Sequence, residues 1–250
     1  MSDLPILFMT GTVAPPQDSA HLKIADPQQR IGEYRRALRW NLDLLRQGHF
    51  GRLVFVENSG FGMAEFESDV RDSGLADTVE MLSYDGNAAA GTVSRLALEA
   101  SLLKHGFDTL DCLQDRRGRR VWKVTGRYVV KNIAAIARHT PDRIDLAVHC
   151  RDRPVRFVET AVLGLTTTCG RSVLARILDS AQVRRLGESG LRALLDADAF
   201  ADLQVARRLA RVPDYSGRRG TDGASFDDLS YRLKHNVRAI AHRVLPNAWI

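Results

Sequence analysis

The chain has 250 residues, 44% hydrophobic and 26% charged, with a formal net charge of +6. That length suits one large α/β domain that buries a core without crosslinks, and the composition excludes a disordered chain. No apolar run approaches the roughly 20 residues of a membrane-spanning helix, and Cys112, Cys150 and Cys169 form no CxxC pair.

The start, MSDLPILFMTGTV, lacks the basic segment of a signal peptide, so a cytoplasmic protein with reduced thiols is expected. Arginine supplies most of the positive charge, and its fork suits phosphate oxygens, so a phosphate-bearing partner is expected.

Ile6 to Met9 reads as a buried strand ending in the loop Thr10-Gly11-Thr12. A polar loop through Pro15 and Pro16 leads to Asp26-Pro27-Gln28-Gln29, a helix start with a cap, a proline at the first helical position and a glutamine at the third. Ile31, Tyr34, Leu38, Leu42 and Leu45 then mark one buried face, and Gly48 ends the helix. Leu53 to Val56 is a second core strand running into Glu57-Asn58-Ser59-Gly60, and Val79 to Leu82 is a third. Val93, Leu96, Ala100 and Leu103 mark a helix closed by Gly106.

After a basic loop (Arg116, Arg117, Arg119, Arg120), Val121 to Thr125 reads as a fourth strand, followed by Gly126 and a helical stretch from Val129 to Arg138. Ile144 to Val148 and Val155 to Leu165 read as strands, the latter broken around Glu159. Arg171 to Arg211 reads as helical, and Asp214 to Gly220 as a mobile basic loop. A final helix carries Leu229, Leu233, Val237, Ile240 and Val244 on one face and Arg232, Lys234, Arg238 and Arg243 on the other. Core packing of the apolar face is the expectation; the same pattern also suits an anionic membrane surface.

Alternating strands and helices predict a mainly parallel sheet covered on both faces. Ligands of such sheets bind outside the carboxyl ends of the strands, which would gather Thr10-Gly11-Thr12, Glu57-Asn58 and Gly126-Arg127-Tyr128 at one edge. No GxxxxGK[ST], no GxGxxG after a strand and no GxSxG is present, and the seven histidines have no metal-binding spacing. Neither a metal nor a cofactor is expected.

LFMTGTVAP, DPQQRIGEYRRAL, LVFVENSG and VWKVTGRYVVKN, in that order, resemble a group of bacterial glycosyltransferases that build capsule and O-antigen polysaccharides. The motifs are Thr10-Gly11-Thr12, Arg30 with Tyr34, Glu57-Asn58-Ser59-Gly60, and Lys123-Val124-Thr125-Gly126-Arg127-Tyr128, with Asn132 following. The terminal Pro246-x-x-Trp249-Ile250 fits less closely. Asn87 and Gly91 match a further Asn-x-x-x-Gly-x-Gly-Glu element, although Thr92 and Val93 stand where its Gly-Glu would be. The resemblance implies one GT-A-like domain. Residues 1–140 would bind an activated sugar donor, and residues 141–250 would serve a polysaccharide or lipid-linked acceptor, with peripheral membrane contact through the last helix.

A typical GT-A strand at the place of Val121 to Thr125 ends in Asp-x-Asp, which holds a metal on the donor diphosphate. Here Lys123, Thr125 and Arg127 occupy it, and in an extended strand they share one face. They read either as a metal-free clamp on phosphate or as salt-bridge partners. Thr10-Gly11-Thr12 reads as a donor loop or a plain turn; Arg30 with Tyr34 as a pair capping a core helix or, through Arg30, as a contact to phosphate or ribose; Glu57 and Asn58 as readers of base or sugar hydroxyls, with Asn58 alternatively a left-handed turn residue. Glu159, in an apolar setting, is the first candidate for the base that an inverting transferase needs, ahead of Asp145, and a buried ion pair is the competing role for both. A phosphoribosyl diphosphate donor is the runner-up. A non-catalytic relative remains open, while a nucleic-acid partner is not expected, because only 7% of residues are aromatic and no binding motif is present.

Overall fold

The computed structural model describes residues 4–15, 26–86, 92–115, 117–153, 155–219 and 223–244. The first half runs β1 (Ile6–Gly11), α1 (Pro27–Arg46), β2 (Arg52–Glu57), α2 (Ala64–Ser73), β3 (Val79–Ser83), α3 (Arg95–Thr109), β4 (Arg120–Thr125), β5 (Val129–Val130) and α4 (Ile133–His139). The second runs β6 (Leu146–Arg151), β7 (Phe157–Thr166), α5 (Gly170–Asp179), α6 (Ala181–Leu186), α7 (Glu188–Asp196), β8 (Val205–Ala206), β9 (Tyr215–Ser216) and α8 (Leu229–Val244).

Seven strands form one sheet in the order β3-β2-β1-β4-β7-β6-β8. All pairings are parallel except those of β7, which runs against both β4 and β6. This is the mainly parallel α/β sheet expected. β5 and β9 pair separately as a short antiparallel ribbon.

Both faces of the sheet are covered, which explains why β1 and β2 are apolar at nearly every position rather than at alternate ones. Ile6, Phe8, Val54 and Val56 pack into a layer with α3, α5, α6 and α7. Leu7, Met9, Leu53 and Phe55 pack into the opposite layer with α1, α2 and α4. α1 starts as its sequence dictates: the Asp26 side chain accepts a hydrogen bond from the Gln28 N–H at 3.0 Å, with Pro27 at the first position. Ile31, Tyr34, Leu38, Leu42 and Leu45 are all buried.

Several local expectations are corrected. Gly106 does not cap α3; it lies within the helix, where a Cβ would come 2.6 Å from the Phe8 ring, so the absent side chain permits close helix–sheet packing. The stretch after Gly126 is β5 and then α4, not one helix. β7 passes unbroken through Glu159, and the irregularity falls in its pairing with β6, between Ala147 and His149. Helix ends at Asp196, well before Arg211. The basic loop is partly fixed: Tyr215–Ser216 is a strand, and the Ser216 hydroxyl and Gly217 N–H both donate to Asp227. Gly220 and the terminal Pro246-x-x-Trp249-Ile250 lie outside the described residues.

α8 departs most. Leu229, Leu233, Val237, Ile240 and Val244, expected in the core, are between 58% and 83% exposed. The side turned to the protein carries Tyr231, His235, Arg238 and His242, each half-buried. Among the described residues, no helix is long and apolar enough to cross a membrane.

His149 on β6 is buried, its Nδ1 has no hydrogen-bond partner, and its ring lies 6.1 Å from that of His242. Burial pushes its pKa down from 6.5 to about 4; Glu159 opposes this, and His242, Arg151 and Arg208 add to it. Because the folded pKa lies below the unfolded one, the unfolded chain takes up the proton first as pH falls. The stability is complete above about pH 6.5 and is lost towards pH 4, a range worth about 3 kcal/mol. Urea unfolding midpoints should therefore fall over that window, and His149→Gln should flatten the fall.

Candidate active site

The strand order turns back between β1 and β4, the point at which open α/β sheets place their ligands. Register sets Thr10 beside Thr125 and Gly11 beside Glu57. The Gly126 N–H donates to the Thr10 carbonyl at 2.9 Å, and a Cβ on Gly126 would overlap that oxygen, so only glycine fits. The Asn58 N–H donates to the Gly11 carbonyl at 3.1 Å. The loops after β1, β2 and β4 are thus joined directly.

Glu57 is fully buried at their junction. Its Oε1 accepts from the Val13 N–H at 3.0 Å, the Ser59 N–H at 2.8 Å and the Ser59 hydroxyl. Its Oε2 accepts from the Phe61 N–H at 3.2 Å and the Ser83 hydroxyl at 3.0 Å. With five donors on two oxygens, the carboxylate is turned inward and is not placed to read base or sugar hydroxyls. The Thr12 hydroxyl donates to Asn58 Oδ1 at 2.7 Å. The Thr12 N–H donates to the Tyr34 hydroxyl at 2.8 Å, and its carbonyl accepts from Arg30, with Nε at 2.9 Å. Arg30 and Tyr34, one helical turn apart on α1, therefore grip the same residue of the first loop.

Below this layer lies a buried ion pair. Lys123 Nζ is 2.6 Å from Glu99 on α3, and it donates to the Thr160 carbonyl at 2.6 Å and the Thr125 hydroxyl at 3.1 Å. The Thr10 hydroxyl donates to the same Glu99 oxygen at 3.1 Å. Burial pushes the Lys123 pKa down, against the pull of Glu99. Lys123 is wholly enclosed, so it acts as a strut beneath the crevice, and its expected part in a phosphate clamp is corrected.

Arg127 is corrected in direction. β4 ends at Thr125 and the chain turns, so Arg127 leaves the face that Lys123 and Thr125 share. It reaches Glu33 of α1, with 3.1 Å between Nη1 and Oε2, and its guanidinium lies 5.7 Å from the centre of the Tyr128 ring. Tyr128 in turn packs edge-on against Phe226 and Tyr215. Burial lowers the Arg30 pKa, and the charge of Arg127 pushes the same way. Burial raises that of Glu33, while Arg127, Arg30 and Arg36 pull it down. Three guanidiniums thus act on one carboxylate near the switch point, Arg127 by direct contact and Arg36 from an exposed position.

Glu159 forms an ion pair with Arg151 at 3.2 Å and adjoins Tyr215, Tyr231 and Arg238, under α8. Asp145 accepts from the Gln204 N–H at 2.9 Å. For both, the ion-pair or structural role is the one the geometry supports. Asn87 and Gly91 lie outside the described residues. Glu33 and Glu99 were not foreseen: Glu33 is marked only by its place between Arg30 and Arg36, and Glu99 by nothing local. Among the described residues, no group of three or more His, Cys, Asp or Glu side chains is placed to hold a metal.

No protein-family model and no curated protein sequence matches the chain. Solved structures do. The galactosyltransferase LgtC, in a complex with donor and acceptor sugar analogues, matches with a TM-score of 0.50 at 10% identity, over 80% of this chain and 72% of that one. An inferred nucleotide-diphospho-sugar transferase from Desulfovibrio desulfuricans G20 matches with a TM-score of 0.44 at 15% identity, over 97% of this chain and 98% of that one. The fold is GT-A-like.

Glu57→Ala would leave three N–H groups and two hydroxyls without their acceptor, each worth about 1–3 kcal/mol when buried. The expected result is a loss of at least about 3 kcal/mol in urea unfolding, together with new proteolytic cleavage between residues 58 and 63.

Proposed function

We propose that the chain is a glycosyltransferase that moves a sugar from a nucleotide-sugar donor to a surface polysaccharide or a lipid-linked acceptor. The observation that carries this reading is the placement of two buried guanidiniums at the switch point: Arg127, paired with Glu33, and Arg30, which grips the loop after β1. A donor diphosphate bound at this edge would meet both guanidiniums. The GT-A-like sheet and the four sequence motifs support the same reading.

In the transfer, the bond between the sugar's anomeric carbon and the phosphate oxygen breaks, and negative charge grows on the leaving diphosphate. Arg127 and Arg30 meet that charge with charge-assisted bonds, in place of the metal that Asp-x-Asp would hold. Glu33 keeps the Arg127 guanidinium oriented, and the Tyr34–Thr12–Asn58 chain fixes the loop against which the donor lies. The acceptor hydroxyl attacks the anomeric carbon and gives its proton to a carboxylate. Glu99 lies nearer this step than Glu159, because it is bonded to Thr10 at the switch point.

The test is a thermal-shift screen of nucleotide sugars, free nucleotides and phosphoribosyl diphosphate, each with EDTA or with magnesium or manganese. A ligand at 100 times its Kd adds about 2.7 kcal/mol. Stabilisation by nucleotide sugars is expected to persist in EDTA and to vanish in Arg127→Ala, measured against that variant's own unliganded melting. Response to phosphoribosyl diphosphate alone would move the donor to the runner-up class. Stabilisation only with metal would overturn the cationic clamp, and silence across the panel would favour a non-catalytic protein.

A further inference from the structure

α8 is mounted with its polar side inward. Arg238 faces Glu159 and Tyr231, and the His242 Nε2–H meets the Leu209 carbonyl at 3.0 Å. Arg208 donates to the His242 carbonyl. The opposite side presents Leu229, Leu233, Val237, Ile240 and Val244, spaced by three and four residues as one continuous apolar stripe in water. Exposed cations flank it: Arg232 and Arg243 on one border and Lys234 on the other. The helix contains no acid; of the two that precede it, Asp227 is held by Ser216 and Gly217 and Asp228 is exposed.

A stripe of five large aliphatic side chains is a docking surface rather than scattered exposure. Its occupant follows from the charge. A second copy of the chain docked through this helix would bring like-charged borders together, with no acid within either helix and only Asp228, ahead of the first turn, to set against three exposed cations. An anionic bilayer supplies what the borders need: apolar depth for the stripe and phosphate headgroups for the cations. We propose that α8 is an interfacial helix that lies in the plane of an anionic membrane with its apolar stripe inserted. The proposal stands independently of the glycosyltransferase reading.

Co-sedimentation of the full chain with vesicles tests it. The comparison is equal phosphatidylglycerol and phosphatidylcholine against phosphatidylcholine alone, at low and high salt. The chain should bind the anionic vesicles, and binding should weaken with salt. Leu233→Gln with Val237→Gln and Ile240→Gln changes only exposed positions and should abolish binding while leaving the melting temperature unchanged. Arg232→Gln, Lys234→Gln and Arg243→Gln together should weaken binding on the order of 100-fold, about fivefold per cation. Equal binding to neutral vesicles, or no binding by the native chain, would overturn the proposal. So would a concentration-dependent dimer in light scattering that the three apolar substitutions dissolve and that vesicles do not compete away.

Discussion

A single buried carboxylate governs the architecture of the crevice. An ionised acid removed from water is costly unless its oxygens are filled by donors. Glu57 is filled by backbone and hydroxyl donors from the loops after β1 and β2 and from the last residue of β3. The Glu-Asn-Ser-Gly turn has the composition this requires. Ser59 gives both its N–H and its hydroxyl, and Gly60 takes a φ of 68°, which swings the chain so that the Phe61 N–H also points back. Once the turn closes on Glu57, Asn58 is set where Thr12 meets it, and Thr12 is set where Arg30 and Tyr34 grip it.

β4 extends the same logic through the sheet. It sends one cation to each layer: Lys123 to Glu99 on α3, and Arg127, after the turn at Gly126, to Glu33 on α1. Neither pair is strong evidence for stability, since desolvation offsets most of the attraction. Their contribution is to fix position. Lys123 ties α3, β4 and β7 together, whereas Arg127 and Arg30 crowd positive charge around one acid. Lys123 is enclosed within the sheet, whereas Arg127 and Arg30 lie at the loops of the switch point, which separates the strut from the cations at the crevice.

The strands and α1 were legible in the sequence because their signals are local: apolar runs bounded by loops, and an Asp-Pro start followed by a regular apolar face. The motifs were legible as a group, since three lie at strand ends that the sheet brings to one edge and the fourth, Arg30 with Tyr34, lies on the helix after the first strand. What each side chain does was not legible, because it depends on partners far along the chain. Glu57 reads as a free acid until Val13 and Ser83 are placed around it. Lys123, Thr125 and Arg127 read as one face until β4 is seen to end at Thr125. Gly106 reads as a cap until Phe8 is found against it.

α8 failed for a different reason: its amphipathic pattern was read correctly and its orientation was not. Helices turn their apolar side to the core when the core offers an apolar groove. Here the surface it meets carries Arg151, Glu159, Arg208 and the ring of Tyr215, a polar seat that selects Tyr231, Arg238 and His242 instead. Such contacts contribute less than the burial of five aliphatic side chains would. The uncovered stripe is therefore a cost carried in water and relieved wherever something apolar covers it. The seat is also continuous with the crevice. Tyr215 pairs with the ribbon that begins two residues after Arg127, and Glu159 neighbours Thr160, whose carbonyl holds Lys123. Whatever surface covers the stripe thereby sets how the crevice faces it.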